Sequence, residues 1–214
     1  MTERKPRKDA ARNRAAALAA ADGLFARCQS PEDLTMADIA SAAGVGKGTL
    51  FRAFGDRAGL LRALYEARLE PIRRAVEEGP PPLGPAGPPH QRVPALLDAI
   101  VCFKLDNRRL ALALEGTGAD SPYRTEHYER WHALLREALE RIPGLTDSDF
   151  TAHALLAATR ADLVEHLAGE KGVPREEIRD QLAGFTTALL GTRAEDGAGA
   201  EHRARTGGGA DAER

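Results

Sequence analysis

The stretch with the most obvious chemical potential is AGVGKGTLF, residues 43–51, in which three glycines surround a lysine. Such letters are typical of a loop that binds a nucleotide phosphate, and also of the turn and first residues of a DNA-reading helix. The phosphate-binding loop requires a glycine, four residues, and then Gly-Lys followed by Ser or Thr. Here Ser41 occupies the leading position and Gly48 follows Lys47, so the spacing does not fit that loop.

Histidines are the other side chains that could bind a metal ion or transfer a proton. His127 and His132 are five residues apart, which places them on different faces of a helix. His153 and His166 are thirteen apart and nearly in phase on one helix, but no cysteine or carboxylate cluster joins them. We therefore expect no metal site, no cofactor and no catalytic residues.

Arg160 and Asp162 interrupt the apolar segment ALLAATRADLVEHL. They could line a pocket, mark a dimer face or simply be exposed. An ion pair between them is not expected, because helix neighbours two residues apart do not face each other.

The composition favours a helical protein. Of 214 residues, 43% are apolar but only 5% are aromatic, so alanine and leucine must do most of the packing. Cys28 and Cys102 are far apart in sequence, which fits a reducing compartment rather than a disulfide framework. The sequence has no apolar run of membrane-spanning length and its charged N-terminus lacks the apolar core of a secretory signal, so we expect a cytoplasmic protein with no membrane partner.

The charge is unevenly distributed along the chain. Residues 1–62 hold 11 Lys and Arg against 7 Asp and Glu, a net charge of +4, and the remainder has a net charge of −6. A basic first segment on an acidic body is typical of a chain whose first segment meets a polyanion. A solvated basic tail would give the same pattern.

The hydrophobic periodicity predicts an all-α fold. Pro71 falls inside one long helix and predicts either a fixed bend or a hinge. We expect a Pro-rich loop at residues 79–92 and a disordered tail at residues 192–214, which lack Val, Ile, Leu, Met and aromatic side chains. The predicted helices cover residues 9–28, 36–43, 47–53, 57–78, 93–107, 108–115, 123–142, 148–168 and 174–191. The predicted inner face of the helix over residues 57–78 is Leu61, Leu64, Tyr65, Leu69, Ile72 and Val76. The last helix starts with Pro174, where proline is tolerated, and its predicted inner face is Ile178, Leu182, Phe185 and Leu189.

Residues 35–54 have the pattern of two short helices joined at a tight turn. Thr35 is an N-cap with Asp38 three places on, and Gly44 can end the first helix in a left-handed conformation. Gly46 opens the second helix, from which Lys47 and Thr49 point outward. Four apolar side chains would face each other across the turn, namely Ile39, Ala40, Val45 and Leu50. This pattern predicts a helix-turn-helix, whose second helix enters the DNA major groove.

The segment LTMADIASAAGVGKGTLFRAFGDRAGLLRAL, residues 34–64, resembles the TetR family of bacterial transcriptional repressors. The resemblance covers about the first third of the chain. It implies a basic disordered arm at residues 1–8 and an N-terminal three-helix DNA-binding domain with a helix-turn-helix at residues 9–55. A larger helical domain for ligand binding and dimerisation would cover residues 56–191.

The resemblance also implies the residues that contact DNA. Thr35 would touch a phosphate, Lys47, Thr49 and Arg52 would lie in or beside the groove, and Arg57 stands where the family usually has a phosphate-binding lysine. The full DNA-binding set is Thr35, Gly46, Lys47, Gly48, Thr49, Phe51, Arg52 and Arg57, with Arg4, Lys5, Arg7 and Lys8 of the arm.

Two residues depart from the family pattern. Gly46 replaces a frequent serine, so a capping hydroxyl is absent. Phe51 replaces a tyrosine whose hydroxyl reaches a phosphate, so Phe51 keeps the ring packing but loses that bond.

The function implied is that of a homodimeric repressor released from a palindromic double-stranded DNA operator by a small organic effector. The last two helices of each chain would form a four-helix bundle in the dimer. The effector-binding candidates among the middle helices are Leu97, Val101, Cys102, Leu114, His127, Trp131, Leu135, His153 and Arg160. Two rival hypotheses are a small helical enzyme that uses the same cavity, and a helical interaction protein without operator specificity.

Overall fold

The computed structural model describes residues 4–27, 34–115, 123 and 125–206, and the side chains of residues 9–27, 34–115, 123 and 125–191. Each regular element in these ranges is helical, so the predicted all-α class is confirmed. A π-helical turn, His166–Glu170, follows the ninth helix. The α-helices are α1 (Arg4–Arg27), α2 (Met36–Ala43), α3 (Lys47–Phe54), α4 (Arg57–Glu78), α5 (Pro89–Asp106), α6 (Arg108–Glu115), α7 (Glu126–Glu140), α8 (Ser148–Ala157), α9 (Ala161–Glu165) and α10 (Arg175–Thr206).

The helices form two compact units. The first unit comprises residues 1–71 and 109–117, and the second comprises residues 72–108 and 118–214. The division falls inside α4, directly after Pro71. Pro71 removes the hydrogen bond to the Ala67 carbonyl, yet α4 continues to Glu78.

The first unit is built on mutual packing of α1, α2 and α3. Small side chains let the helices approach closely, since Ala17 and Ala21 of α1 and Ala40 of α2 are all buried. The start of α4 is capped by Asp56, whose Oδ1 accepts the Gly59 N–H at 2.7 Å. The inner face of α4 in this unit is buried as predicted, through Leu61, Leu64, Tyr65 and Leu69.

The second unit is organised around α5, which packs against α7, α9 and α10, while α7 also packs against α8. Arg179 of α10 holds Asp98 of α5 with two bonds, Nε to Oδ1 at 2.7 Å and Nη2 to Oδ2 at 3.0 Å. The apolar residues of α5 and α7 that form this core are Val93, Leu96, Leu97, Ile100, Val101, Trp131, Leu135, Ala138 and Leu139.

Both chain ends are more helical than predicted. Helix α1 begins at Arg4, within the segment expected to be an unstructured arm. Lysine and arginine are good helix formers, and Pro6 falls in the first turn, where proline is tolerated. Helix α10 likewise continues through residues 192–206 of the expected disordered tail, where Ala, Arg and Glu residues favour helix. Residues 1–3 and 207–214 lie outside the described residues.

Two further boundaries differ from the prediction. The Pro-rich segment is a series of turns, and it is shorter than expected because α5 begins at Pro89 rather than Val93. Proline at the first helical position loses no intrahelical bond, so it starts the helix. Helix α7 begins at Glu126, after Thr125, whose side chain accepts the Tyr128 N–H at 3.2 Å.

The long helix predicted for residues 148–168 is broken into α8, α9 and the π-helical turn. The break lies at Ala158, Thr159 and Arg160. Buried Thr159 donates its hydroxyl to the Leu156 carbonyl at 2.9 Å, a local bond that competes with the helical ladder.

The inner stripe predicted for α10 also needs one correction. Ile178 and Leu182 are buried as predicted, and the buried face continues through Thr186 and Leu190 at four-residue spacing. Phe185, predicted to lie on this face, is 48% exposed.

No helix in the described ranges is both long enough and apolar enough to cross a lipid bilayer.

Candidate nucleic-acid interface

The turn between α2 and α3 is closed by backbone hydrogen bonds, and its left-handed backbone conformation favours a glycine. Gly44 has φ 64° and ψ 30°, a left-handed conformation that costs other residues free energy. Its N–H donates to the Ser41 carbonyl at 3.2 Å, and the Val45 N–H donates to the Ala40 carbonyl at 3.0 Å. These bonds satisfy carbonyls at the end of α2 and turn the chain sharply into α3.

The start of α2 is fixed by the predicted capping box. The Thr35 hydroxyl accepts the Asp38 N–H at 3.2 Å, and the Asp38 carboxylate accepts the Thr35 N–H at 3.1 Å. The Thr35 hydroxyl also donates to Asp38 Oδ2, which is the main reason that the pKa of the Asp38 carboxyl is lowered. The hydroxyl therefore has an internal role, in addition to the phosphate contact that the resemblance implies.

Helix α3 is anchored at two points. Leu50 is buried in its middle. At its end, Arg14 of α1 donates to the Ala53 carbonyl at 3.1 Å and places its guanidinium 4.5 Å from the centroid of the Phe54 ring. These contacts fix which face of α3 points away from the first unit.

That outward face carries the side chains predicted to contact DNA. Lys47 and Arg52 are exposed, Phe51 is 48% exposed, and Thr49 is half-buried. An exposed aromatic ring beside two cations matches the composition of a surface that contacts a nucleic acid backbone.

The packing of the chain itself does not explain why glycine occupies the N-cap position of α3, Gly46, and its second position, Gly48. A Cβ built on Gly48 meets nothing within 4 Å, and one built on Gly46 meets only Thr49 Oγ1 at 3.9 Å. Neither residue has a positive φ. Gly48 therefore leaves open space on the outward face, where a DNA backbone would have to approach.

The remaining predicted contacts lie at the edges of this face. Arg57 is half-buried, and its Nε donates to the Leu34 carbonyl at 3.0 Å, so its side chain also ties the start of α4 to the segment before α2. The backbone of Arg4, Lys5, Arg7 and Lys8 lies in α1, while their side chains lie outside the described residues.

The predicted effector residues are only partly grouped by the structure. Buried Leu97 and Val101 on α5, with buried Trp131 and Leu135 on α7, belong to two helices that pack together in the second unit. Leu114, also predicted, is half-buried in α6 and belongs to the first unit.

His127 joins this apolar group. Its ring is edge-on to Trp131, with centroids 6.3 Å apart. Burial, followed by the positive charges of Lys104, Arg73 and Arg130, lowers the pKa of His127 to about 4. His127 is therefore neutral near pH 7, with three cationic side chains close enough to act on its ring.

Cys102 and Arg160 have different surroundings. The Cys102 thiol lies 3.7 Å from Asp98 Oδ1, within the polar contact between α5 and α10, and burial raises its pKa. Arg160 forms a bidentate ion pair with Asp162, Nε to Oδ1 at 3.0 Å and Nη2 to Oδ2 at 2.9 Å. The expectation that these two side chains do not pair is wrong, because the chain is not a continuous helix at Arg160. Arg160 is instead the extended N-cap residue of α9, with ψ 144°.

His153 lies with a group of side chains that sequence reasoning missed. Its ring stacks on His132 at 3.9 Å between centroids, and its Nδ1 lies 2.6 Å from the Tyr128 hydroxyl. Asp149 completes the group, with its Oδ1 3.4 Å from His132 Nε2. The i, i+4 spacing of Asp149 and His153 was visible in the sequence, but His132 joins them only through the packing of α7 on α8. His166, expected in phase with His153, lies in the π-helical turn and pairs with Glu170 at 2.6 Å.

Comparison with known proteins agrees with this geometry. Residues 17–64 match the family model described as bacterial regulatory proteins, tetR family. The chain is 23% identical over 182 residues to an HTH-type transcriptional regulator of Staphylococcus aureus (strain MRSA252), covering 84% of this chain and 95% of that protein.

Two solved structures share the fold. A TetR-family transcriptional regulator from Rhodococcus sp. superposes with a TM-score of 0.59 at 23% identity, over 83% of this chain and 98% of that one. A TetR-family transcriptional regulator from Haemophilus influenzae RD gives a TM-score of 0.51 at 17% identity, over 86% and 98%.

Proposed function

Because the chain belongs to the tetR family of bacterial regulatory proteins and is a transcriptional regulator with a DNA-binding helix-turn-helix, we propose that it is a homodimeric repressor, released from a palindromic operator by a small organic effector. The observation that carries this proposal is the outward face of α3. It presents Lys47, Phe51 and Arg52 around Gly48, which has open space beside it. A helix with this face fits the major groove, with cations at phosphates and base edges.

Dimerisation is supported by exposed apolar side chains on the last helices. Phe150 of α8 is 68% exposed, Leu163 of α9 is 38% exposed and Phe185 of α10 is 48% exposed. Exposed apolar side chains of this size are candidates for a surface that another protein covers. A second copy of the chain would do so with the same surface, as in a two-fold dimer.

The effector region is proposed to lie between α5 and α7, around Leu97, Val101, Trp131 and His127. The apolar side chains favour an organic molecule, and neutral His127 can donate or accept one hydrogen bond. The positive charges around His127 favour an effector with an acceptor or acidic group at one end of an apolar body. Such a molecule would act by shifting the population between a DNA-binding and a non-binding conformation.

The proposal is tested by selecting sequences from a pool of random duplexes with the purified full chain. We expect enrichment of an inverted repeat, and fluorescence anisotropy should then show tighter binding to the repeat than to a shuffled duplex of equal composition. Enrichment of no sequence, or equal affinity for both duplexes, would contradict operator recognition and favour the interaction-protein hypothesis.

A further inference from the structure

We propose that His132, Asp149 and His153 form a binding site for one divalent transition-metal ion, such as Zn²⁺, which links α7 to α8. Within the described residues, this is the one group of three His, Cys, Asp or Glu side chains whose potential ligand atoms all lie within 4.8 Å of one another.

The distances suit a small ion. Asp149 Oδ1 lies 3.4 Å from His132 Nε2, and Asp149 Oδ2 lies 3.9 Å from His153 Nε2. In tetrahedral zinc sites with bonds of about 2.0–2.1 Å, neighbouring ligand atoms are separated by roughly 3.4 Å. The first pair is already at this separation. To bind one ion, the His132 and His153 rings must turn out of their stack, and His132 Nε2 must give up its contact with the Asp149 carbonyl oxygen at 3.3 Å.

The donor atoms indicate which ions would bind. Two imidazole nitrogens with one carboxylate oxygen suit Zn²⁺, Co²⁺ or Ni²⁺, whereas Mg²⁺ and Ca²⁺ prefer all-oxygen sites. The side chain of His132 is 15% exposed and that of Asp149 is 71% exposed. An ion can therefore enter from solvent on the Asp149 side and keep a water molecule as a further ligand.

A neighbouring tyrosine supports the histidine that must bind through Nε2. The Tyr128 hydroxyl lies 2.6 Å from His153 Nδ1. When Nδ1 carries the proton and donates it to the tyrosine oxygen, the Nε2 lone pair is free for a metal ion. A partner of this kind on the second ring nitrogen is typical of histidine ligands in metal sites.

Stacking of the rings keeps the candidate ligands close together before any ion binds. The rings of His132 and His153 stack at 3.9 Å, and the Tyr128 ring stacks on both, at 6.2 Å from His132 and 5.8 Å from His153. Because His132 and Tyr128 are on α7 while Asp149 and His153 are on α8, a bound ion would cross-link the two helices.

The test is a titration of the full chain, without an affinity tag and stripped with a chelator, with CoCl₂ followed by competition with ZnCl₂. We expect visible d–d bands of Co²⁺ in a four- or five-coordinate site, saturating at one ion per chain and displaced by Zn²⁺. Absence of the bands, or binding of Co²⁺ only as a weak, non-saturating association, would overturn the proposal.

Variants assign the ligands. His132→Ala, His153→Ala and Asp149→Asn should each weaken Co²⁺ binding by more than the roughly 10–100-fold loss expected for Tyr128→Phe, which removes only the partner of a ligand. His166→Ala is the matched control, because this histidine pairs with Glu170 outside the cluster, and the affinity for Co²⁺ should not change.

The histidine variants could lose their fold, so the exposed Asp149→Asn variant provides a second test of the site. Circular dichroism shows whether each variant is folded. A folded Asp149→Asn or His132→Ala protein that binds Co²⁺ as tightly as the wild type would show that the ion, if bound, lies elsewhere. The result is independent of operator binding, so a failed metal site would leave the proposed function untouched.

Discussion

Lys47 is the side chain on which the proposed DNA contact depends most directly. It is exposed at the first position of α3, with open space beside Gly48 on the same turn. A contact between such a residue and a base contributes about 1–3 kcal/mol and also discriminates between sequences. A contact with a phosphate weakens binding to all sequences alike when it is lost. The two cases differ in whether sequence preference is lost with affinity.

We therefore expect Lys47→Ala to weaken operator binding by about 1–3 kcal/mol and to relax the preference at one base position. Fluorescence anisotropy with the selected operator and its single-base variants measures both. Lys171→Ala, an exposed lysine of the second unit, is the control and should bind as the wild type does. Unchanged affinity and preference for Lys47→Ala would remove this residue from the interface.

Phe51 offers a gain-of-affinity prediction. Its ring is 48% exposed on the outward face of α3 and lacks a polar atom. Phe51→Tyr should strengthen binding by roughly 0.5–1.5 kcal/mol, the net value of one hydrogen bond, if the ring edge faces a phosphate. Phe54→Tyr changes the other ring of α3, which lies against Arg14, and should leave operator affinity unchanged. Equal or weaker binding by Phe51→Tyr would mean that the ring points away from the backbone.

His127 predicts how stability depends on pH. Its pKa is about 4 in the folded chain, and an ordinary histidine in the unfolded chain has a pKa of about 6.5. Between these values the unfolded chain binds a proton that the native chain does not. The free energy of unfolding should therefore fall as the pH decreases from about 6.5 towards 4, by at most roughly 3 kcal/mol from this group.

Urea unfolding at about pH 7 and about pH 4.5 measures this contribution. We expect His127→Gln to lose less stability between the two pH values than the wild type does. His166→Gln, an exposed histidine, controls for a general effect of removing an imidazole. An identical pH dependence in the wild type and His127→Gln would show that His127 is not held neutral by the fold.

At the scale of the elements, α8, α9 and α10 present the exposed apolar side chains that the proposed dimer needs. The spacing of Phe185 predicted a buried ring, but the ring is exposed. The buried face of α10 consists of Ile178, Leu182, Thr186 and Leu190. This leaves the ring on the side of the helix that the core of the same chain does not use. The proposed dimer interface therefore includes Phe185, which the hydrophobic periodicity of α10 had assigned to the core.

Phe185→Glu should shift the chain from dimer to monomer, because a carboxylate would be buried without a partner in the interface. Analytical ultracentrifugation over a range of concentrations measures the change. Thr187→Glu adds the same charge about 160° away around the helix, since residues advance about 100° each, and should leave the dimer intact. A dimer that forms equally well in both variants would place the interface elsewhere.

At the scale of the whole molecule, the proposed switch must obey linkage. An effector that weakens operator binding by some factor must bind the operator-bound dimer more weakly by the same factor. The distance between the two sites does not alter this equality, because it follows from a closed thermodynamic cycle.

We expect a small molecule recovered from the purified chain by native mass spectrometry to show this behaviour. Calorimetric titration of that molecule into free dimer and into operator-saturated dimer should give two different affinities, and anisotropy should give the same ratio for the operator. Trp131→Ala, which removes a large apolar side chain beside His127, should weaken binding of the molecule to the free dimer. Equal affinities in the two titrations would show that this molecule is not the switch.

The sequence by itself determined the local structure of the helix-turn-helix. Thr35 with Asp38, left-handed Gly44 and the alternation of small and apolar residues from Ile39 to Leu50 act within a few residues of each other, so their pattern predicts the observed caps and turn. The same locality explains why Pro174 was correctly expected at the start of α10.

Only the tertiary structure decided which distant side chains meet. His132 joins Asp149 and His153 because α7 packs on α8, and no spacing along the chain encodes that approach. Arg160 pairs with Asp162 because Thr159 bonds back to Leu156 and breaks the helix that periodicity predicted. The burial of Thr186 instead of Phe185 depends on which side of α10 faces α5. In each case the deciding free energy comes from packing between elements, which acts across the chain, whereas caps, turns and helix propensity act along it.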